Sequence, residues 1–310
     1  MKRRLVLGTL IAVGALSIAI SAQQQQQPRV VEVEKLKDNL YVLKGGGGNT
    51  AVFITANGVV VVDAKNPGWG QPILDKIKTL TDKPITTLIN THTHGDHVSG
   101  NVEFPATVDI IVQENTKTNM AKMIPNSTAA NQTVPAKTIF DENNGRGVPK
   151  RTFKDKMTLF KGADEVDLYY FGRGHTNGDA WVAFPALRVV HTADIFSGKN
   201  VPLLDANNGG SAMEIANTLE KGLNGIKNVD MYITGHSTQM TPAELREYVS
   251  FNRDFLSDAQ AAMKAGKTVD EMSTTWKVPA KYAGYAAADP NRLKNNFGLA
   301  YKELGARGTR

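Results

Sequence analysis

The stretch Thr91-His92-Thr93-His94-Gly95-Asp96-His97 decides the fold and points to the chemistry of this chain. It places three of the six histidines of the sequence, together with one aspartate, within six consecutive positions. Imidazole and carboxylate groups are common ligands of zinc and of neighbouring transition metals. The stretch therefore indicates a metal site, and the search for its other ligands begins with His175, His191 and His236.

The spacing within this stretch suits a single loop that serves two ions. His92 and His94 follow an apolar run, and side chains two positions apart in an extended segment point the same way. Gly95 is expected to let the backbone turn sharply, so that Asp96 and His97 project toward a second ion nearby. Hydrolases with two metals use such a pair to hold a hydroxide between the ions.

Further candidate ligands stand where other apolar runs end. His175, Asp194 and His236 each close such a run, and we expect these strand ends to gather on one edge of the fold. His191 is three residues before Asp194, and strand alternation turns its side chain to the other face. We therefore predict that His191 is packed or partly exposed and is not a ligand.

Two further aspartates are candidates for supporting roles. Asp63 ends the run Val59–Val62, where it either supports a ligand histidine through a hydrogen bond or caps a turn. Asp179 lies in a Thr-Asn-Gly-Asp turn, and we predict a structural role for it.

The apolar patterning predicts an α/β fold with two similar halves. Predicted strands in the first half are 30–33, 40–43, 51–55, 59–62 and 85–89, and those in the second are 158–160, 166–171, 180–184 and 187–191. Helices are predicted to start at Pro72, Ser211-x-x-Glu214, Thr241-Pro242-x-Glu244 and Asp289-Pro290. The natural packing is a four-layer αβ/βα sandwich of two mixed β-sheets with outer helices.

The chain is predicted to have one large domain behind an export signal. Residues 1–22 have a basic start, an apolar run and small residues at the end, which is typical of a secretory signal peptide, with a membrane anchor as the alternative. Residues 23–29, rich in glutamine, are predicted to be a disordered leader. Residues 30–310 are predicted to form a single metallo-hydrolase domain with a C-terminal helical extension, 241–310. Residues 117–150 are expected to be a long, partly irregular insertion near the site.

Composition excludes several other classes of protein. The chain has 310 residues, of which 41% are hydrophobic and 21% are charged, as in a soluble globular protein. Its formal net charge of +6 falls to about +3 without the three basic residues of the signal segment. The sequence has no basic stripe with interleaved aromatic residues, so nothing in it indicates nucleic-acid binding. The absence of cysteine removes thiolate ligands and suits an exported protein, periplasmic or secreted, without stable membrane insertion after signal cleavage.

The order of these motifs resembles the metallo-β-lactamase superfamily. The matching segments, which span roughly residues 30–240, are His-x-His-x-Asp-His at 92–97, Gly-His-Thr-x-Gly-Asp at 174–179, Asp194, and Gly-His at 235–236. The resemblance implies two divalent metal ions, with zinc preferred and iron or manganese as alternatives. It assigns the first ion to His92, His94 and His175, the second ion to Asp96, His97 and His236, and both ions to Asp194.

Within the superfamily, the resemblance favours a broad class of carbonyl hydrolases. Cysteine-dependent β-lactamases are excluded because the chain has no cysteine, and the cysteine-free subclass usually lacks an aspartate like Asp194. The setting His-Thr-Ala-Asp-Ile-Phe at 191–196 is more similar to glyoxalase II and to acyl-homoserine lactonases.

The resemblance implies a hydrolase in which a metal-bridging hydroxide attacks the carbonyl of a small ester, thioester, lactone or amide. Asp96 is expected to be catalytic by orienting this hydroxide and moving a proton. Two alternatives stay open: a periplasmic β-lactamase, and a metal-binding accessory protein with little turnover. Loops 45–48, 117–150 and 197–210 are expected to determine specificity, the first as a flexible hairpin over the site.

Overall fold

The strands form two mixed sheets in the computed structural model, which describes residues 29–129 and 132–308. The first sheet has the order β1 (Glu32–Lys37), β2 (Leu40–Lys44), β3 (Thr50–Ile54), β4 (Val59–Val62), β5 (Ile85–Ile89), β6 (Asp109–Gln113) and β7 (Arg151–Phe153). The second has the order β12 (Met231–Thr234), β11 (Val189–Ala193), β10 (Trp181–Phe184), β9 (Val166–Tyr169) and β8 (Lys156–Leu159).

Both sheets combine antiparallel and parallel pairs. Strands β1 to β4 form the predicted antiparallel meander, and β4 to β7 are paired in parallel. In the second sheet only β11 and β12 are parallel. The parallel strands end at the same edge of each sheet, so the loops that follow them meet there.

The helices have the bounds α1 (Gly70–Lys78), α2 (Gly95–Val98), α3 (Glu114–Met120), α4 (Ile139–Glu142), α5 (Ile215–Gly225), α6 (Pro242–Lys264), α7 (Val269–Thr275) and α8 (Pro290–Gly308). Helix α1 packs on the outer face of the first sheet, and helices α5 to α8 pack on the outer face of the second. Within the described residues, none of these helices has the length and apolar character needed to cross a membrane.

Strand β4 illustrates how apolar side chains join the neighbouring layers of the fold. All four of its valines are fully buried, and such β-branched residues suit a strand covered on both faces. Val60 and Val62 belong to the core between the two sheets, whereas Val59 and Val61 pack with Ile73 of α1. A third core joins the outer face of the second sheet to α5, α6, α7 and α8. The order helix, sheet, sheet, helix confirms the predicted αβ/βα sandwich.

Two helix starts differ from the prediction. Helix α1 begins at Gly70 and not at Pro72, which occupies the third helical position, where a backbone N–H has no intrahelical partner to lose. Helix α5 begins at Ile215 and not at Ser211. Ser211 Oγ still accepts a hydrogen bond from Glu214 N at 3.1 Å, but Ser211 N donates to Gly174 O, so the reciprocal capping box does not form.

The other two predicted helix starts are confirmed. Thr241 and Glu244 form a reciprocal capping box at the start of α6, with Pro242 in the first turn. Asp289 Oδ1 accepts a hydrogen bond from Arg292 N at 2.8 Å before α8. The signal peptide predicted at 1–22 and the leader predicted at 23–29 lie outside the described residues, apart from Arg29. The described chain from Val31 onward packs as one compact unit.

Two helical glycines allow a matched test of the packing of the second sheet. A Cβ on Gly222 in α5 would lie 2.5 Å from the ring of Trp181, which is fully buried, whereas a Cβ on Gly298 in α8 would meet nothing within 4 Å. We expect Gly222→Ala to lower the free energy of unfolding by about 1–2 kcal/mol, because overpacking outweighs the gain in helix propensity. Gly298→Ala is expected to raise it by about 0.5–1 kcal/mol. Urea denaturation of both variants checks this, and equal effects would contradict the packing described here.

Candidate metal centre

The ligand-bearing stretch lies directly after β5. His92 lies in a bend that follows β5, and His94, in extended backbone, is the N-cap of the one-turn helix α2, which carries Asp96 and His97. Gly95 is the first residue of this helix and does not have a positive φ. The expected sharp turn is therefore made by the helix start, and the left-handed freedom of glycine is not used there.

The structure brings all seven predicted ligands together in two adjacent groups. One group contains His92, His94, His175 and Asp194, and the other contains Asp96, His97 and His236. Within each group the candidate ligand atoms lie within 4.8 Å of one another. These are nitrogen and oxygen donors in the number and spacing that a divalent transition metal requires.

Asp194 lies between the two groups. Its Oδ2 is 3.7 Å from His175 Nε2 and 3.3 Å from His236 Nε2, while its Oδ1 is 3.3 Å from His97 Nε2. Gly235 makes this placement possible, because a Cβ there would lie 1.7 Å from Asp194 Oδ1. One carboxylate therefore faces both groups, as the assignment of Asp194 to both ions requires.

Three of the four buried histidines in the two groups are oriented by a hydrogen bond on the far side of the ring. His97 Nδ1 donates to Asp63 at 2.7 Å, His94 Nε2 donates to Asp205 at 2.7 Å, and His175 Nδ1 donates to Leu203 O at 2.6 Å. The opposite nitrogens are left facing the centre, which is the arrangement of metal-binding histidines. Of the two roles expected of Asp63, the hydrogen bond to a histidine of the site is the one observed.

Two buried atoms at the centre fit a metal ion. Among the described residues, His92 Nε2 and Asp194 Oδ1 are buried and have no hydrogen-bond partner. An unpartnered buried polar atom is costly, and a bound cation would satisfy both the nitrogen lone pair and the carboxylate oxygen.

Two histidines of the first group, His92 and His175, have lowered pKa values. Burial keeps the pKa of His92 well below its usual value, and the neighbouring imidazoles act in the same direction. Burial also lowers the pKa of His175 to about 4, with His94 adding to the effect. These rings are therefore neutral at pH 7, which is the form of imidazole that binds metals.

The second group contains carboxylates that stabilise positive charge. Burial acts to lower the pKa of His97, but the carboxylates of Asp194, Asp96 and Asp63 outweigh it and hold that pKa well above its usual value. Hydrogen bonds to Asp194 and Asp96 raise the pKa of His236 to about 9. Burial acts to raise the pKa of Asp96, but His97 and His236 bring it down to about 2. A divalent ion would take the place of the protons on these rings.

The remaining candidates lie outside both groups. His191 is fully buried and donates from Nε2 to Asn49 O at 3.1 Å, so it is packed, as predicted, and lies outside both groups. Asp179 accepts a hydrogen bond from Thr176 N at 2.9 Å and stabilises its own turn, also as predicted.

A cavity of about 990 Å³ opens beside His94 and Asp96. Residues 123–126 and several residues between 132 and 142 form much of its wall, so the insertion 117–150 does lie at the site. The wall mixes apolar side chains such as Met123 and Ile139 with polar ones such as Asn126. Its volume is in the range of pockets that bind small molecules.

The loop 45–48 also lies at the site, but it is packed and not free. A Cβ on Gly48 would lie 2.2 Å from His97 Cε1, and a Cβ on Gly46 would lie 1.9 Å from the ring of Trp69. Gly48 N donates to Asp96 O at 3.1 Å. The expectation of a flexible loop does not hold in this structure, because the glycines serve close approach to neighbouring groups.

Two residues of the site were not predicted from the sequence. Lys65 is fully buried beside the loop 45–48, and burial lowers its pKa to about 8. Asp205 binds His94 and also accepts from Ser127 N at 2.9 Å, which ties the ligand to the cavity wall. His94 and Asp205 are 111 positions apart, and no local motif marks either Asp205 or Lys65.

The sequence of this chain is similar to one family of known proteins. Residues 43–245 match the family model described as the metallo-beta-lactamase superfamily. A metallo-beta-lactamase type 2 from Elizabethkingia meningoseptica is 29% identical over 205 residues, which are 61% of this chain and 71% of that protein. Another from Bacillus sp. (strain 170) is 22% identical over 254 residues, covering 74% of this chain and 88% of that protein.

Solved structures with a similar fold include a metallo-beta-lactamase and a sec-alkylsulfatase. A metallo-beta-lactamase from Pontibacter korlensis has a TM-score of 0.58 and 18% identity, covering 72% of this chain and 99% of that one. A stereoselective inverting sec-alkylsulfatase from Pseudomonas sp. has a TM-score of 0.66 and 16% identity, covering 88% of this chain and 50% of that one. At these identities the likeness concerns the fold alone.

The contact between Asp205 and His94 gives a direct test of the first group. We expect Asp205→Ala to weaken metal binding by about 10–100-fold, because the ring of His94 loses the acceptor that orients it. Asp230→Ala is the control, since Asp230 is an exposed carboxylate paired with Arg188. Competition with a coloured chelator measures the affinity of each protein, and circular dichroism checks that both are folded. Unchanged affinity in Asp205→Ala would show that His94 does not depend on this contact.

Proposed function

This chain belongs to the metallo-β-lactamase superfamily, as a hydrolase with a histidine–aspartate metal site, and from that premise we propose that it is an exported dinuclear hydrolase of small carbonyl substrates. The substrates in this proposal are esters, thioesters, lactones or amides. The observation that carries it is the position of the Asp194 carboxylate, which lies within 4.0 Å of ring nitrogens from both groups.

The residues present suit two ions. His92, His94 and His175 would hold the first ion, Asp96, His97 and His236 the second, and Asp194 would contact both. Two divalent ions, preferably zinc, would supply a hydroxide at neutral pH and polarise the carbonyl of the substrate.

Asp96 has the position of a proton-transfer group. Its side chain retains 30% of its surface exposed and lines the cavity beside His94. A carboxylate with a lowered pKa is ionised at neutral pH and can accept a hydrogen bond from the attacking water, which orients it. In this proposal, Asp96 would take the proton that the attacking water releases and then donate it to the leaving group, which returns Asp96 to its ionised form.

The cavity supports a small-molecule substrate. Its mixed lining offers apolar contact along with amide and hydroxyl groups. We further propose that residues 30–310 act as one catalytic domain, in which the helical extension 241–310 supports the second sheet through the core it shares with β10, β11 and β12.

A β-lactamase activity is the second candidate. The two curated relatives named above are metallo-beta-lactamases, and a β-lactam is a cyclic amide that falls within the proposed carbonyl chemistry. The chain has no cysteine, so any such activity would use the aspartate and histidine ligands described here.

A substrate panel with and without metal tests the function. We expect the zinc-loaded protein to hydrolyse at least one of a lactone, a thioester and a p-nitrophenyl ester, and chelation to remove that activity until zinc is restored. Asp96→Asn is the control variant, and we expect it to lose about 100-fold or more of the rate, since a positioned acid–base group contributes about that much. Faster turnover of nitrocefin than of the other substrates would favour the β-lactamase. Two bound metals without any turnover would favour the accessory protein, and full activity in metal-depleted protein would refute the proposal.

Export is the part of the proposal supported by residues 1–22, whose basic start and apolar run are typical of a signal peptide. We expect the protein expressed in a Gram-negative host to be recovered from the periplasm with a new N-terminus near residue 23. Mass spectrometry of the purified protein measures this cleavage. Recovery of the uncleaved chain in the membrane fraction would indicate the anchor instead.

A further inference from the structure

Lys65 is a buried lysine whose side chain donates hydrogen bonds to the backbone of the loop 45–49 and of the neighbouring strand β2. It is fully buried, and its Nζ donates to Leu43 O at 2.9 Å and to Gly48 O at 2.7 Å. Burying an ammonium group is costly unless its hydrogen bonds are made, so a buried lysine at such a place points to a specific use. A neutral side chain of similar length would leave both carbonyl oxygens without this donor.

We propose that Lys65 is a positioning residue for the second metal group, which it holds together by fixing the loop 45–49. This inference rests on the proposed dinuclear function. It concerns the support of the ligands and not their identity.

The loop 45–49 connects the two turns that carry the second group. Gly48 N donates to Asp96 O at 3.1 Å, which binds the loop to the turn after β5 in the first sheet. Asn49 N donates to Gly235 O at 2.6 Å, next to His236, which follows β12 in the second sheet. Asn49 Nδ2 also donates to Thr234 O and to Ser237 O, both at 2.9 Å. The loop therefore spans the two sheets where the ligands of the second group meet.

The loop also packs directly on a ligand ring. A Cβ on Gly48 would lie 2.2 Å from His97 Cε1, and a Cβ on Gly47 would lie 2.6 Å from Asp96 O. The backbone at Gly48 therefore limits the movement of the His97 ring. Any outward shift of the loop would remove this support and the hydrogen bond to Asp96 at the same time.

The backbone of Lys65 is anchored beside the same turn. Gly100 N donates to Lys65 O at 3.1 Å, and Ala64 N donates to His97 O at 2.7 Å. Asp63 and Lys65 both have positive φ angles, 67° and 66°, which residues other than glycine rarely adopt. Such conformations persist where the surrounding contacts determine them, and they cluster at functional sites. The backbone of Lys65 is therefore held next to His97, and its side chain extends from there to the loop 45–49.

Two histidines of the first group are held from another part of the chain. His94 is oriented by Asp205 and His175 by Leu203 O, and neither of these partners lies in the loop 45–49. Loss of the Lys65 contacts should therefore weaken the second metal and spare the first. A residue with only a general role in stability would not give this selectivity.

Stepwise metal titration of the full protein tests the proposal. Apo-protein is titrated with Co²⁺, and the absorption spectrum and chelator competition resolve the two binding steps. In Lys65→Met we expect the second step to weaken by at least about tenfold, by analogy with the loss of other supporting contacts, and the first to change by less than about threefold. The control is Lys83→Met, since Lys83 is an exposed lysine whose Nζ also donates to a backbone carbonyl, Thr55 O at 2.7 Å just after β3, away from both metal groups.

A second variant keeps the test valid if Lys65→Met does not fold. Asn49→Ala removes only the two side-chain bonds to Thr234 and Ser237, and it should show the same selective loss of the second step. Equal weakening of both steps, or no weakening of the second, in the folded variants would overturn the role of Lys65. A wild-type protein that binds one ion or none would instead refute the dinuclear function itself, so the two failures can be told apart.

Discussion

The carboxylate of Asp63 joins the end of β4 to the ligand-bearing stretch after β5. It accepts hydrogen bonds from Thr91 N at 2.8 Å, from Thr91 Oγ1 at 2.7 Å and from His97 Nδ1 at 2.7 Å. Asp63 is fully buried, so these bonds are made away from water, where they are strong and where their loss is costly. This carboxylate orients the His97 ring and so contributes to the shape of the second group.

The apolar layers of the fold stabilise this buried polar cluster. Imidazoles and carboxylates at the centre contribute little favourable burial, and the free energy that holds them comes from the apolar layers on both sides of each sheet. The valines of β4 illustrate this, because each is buried on one face or the other directly before Asp63. Ala193, with a φ of 47°, holds an unfavourable backbone conformation immediately before Asp194, which the surrounding strands enforce.

Much of the fold and most of the proposed ligand set were accessible from the sequence because they depend on local pattern. The β-branched runs located β2 to β5, and the closing residues of apolar runs located His175, Asp194 and His236. Strand β7 was not predicted because three residues are too few for a clear period. Strand β6 was not predicted either, although its run Ile110–Val112 is apolar and β-branched.

Asp205 and Lys65 depend on contacts between distant parts of the chain, so no local pattern marks them. The glycine run at 45–48 was misjudged as flexible because composition alone does not distinguish a free loop from one that approaches its neighbours closely.

The double contact of Asp205 has a consequence for the evolution of this enzyme. One carboxylate supports His94 and also holds the backbone of Ser127, next to the wall of the cavity. A substitution that moves the backbone of Ser127 would therefore also disturb the hydrogen bond that orients His94. Selection on the shape of this wall and selection on the proposed metal site would then act on the same few residues.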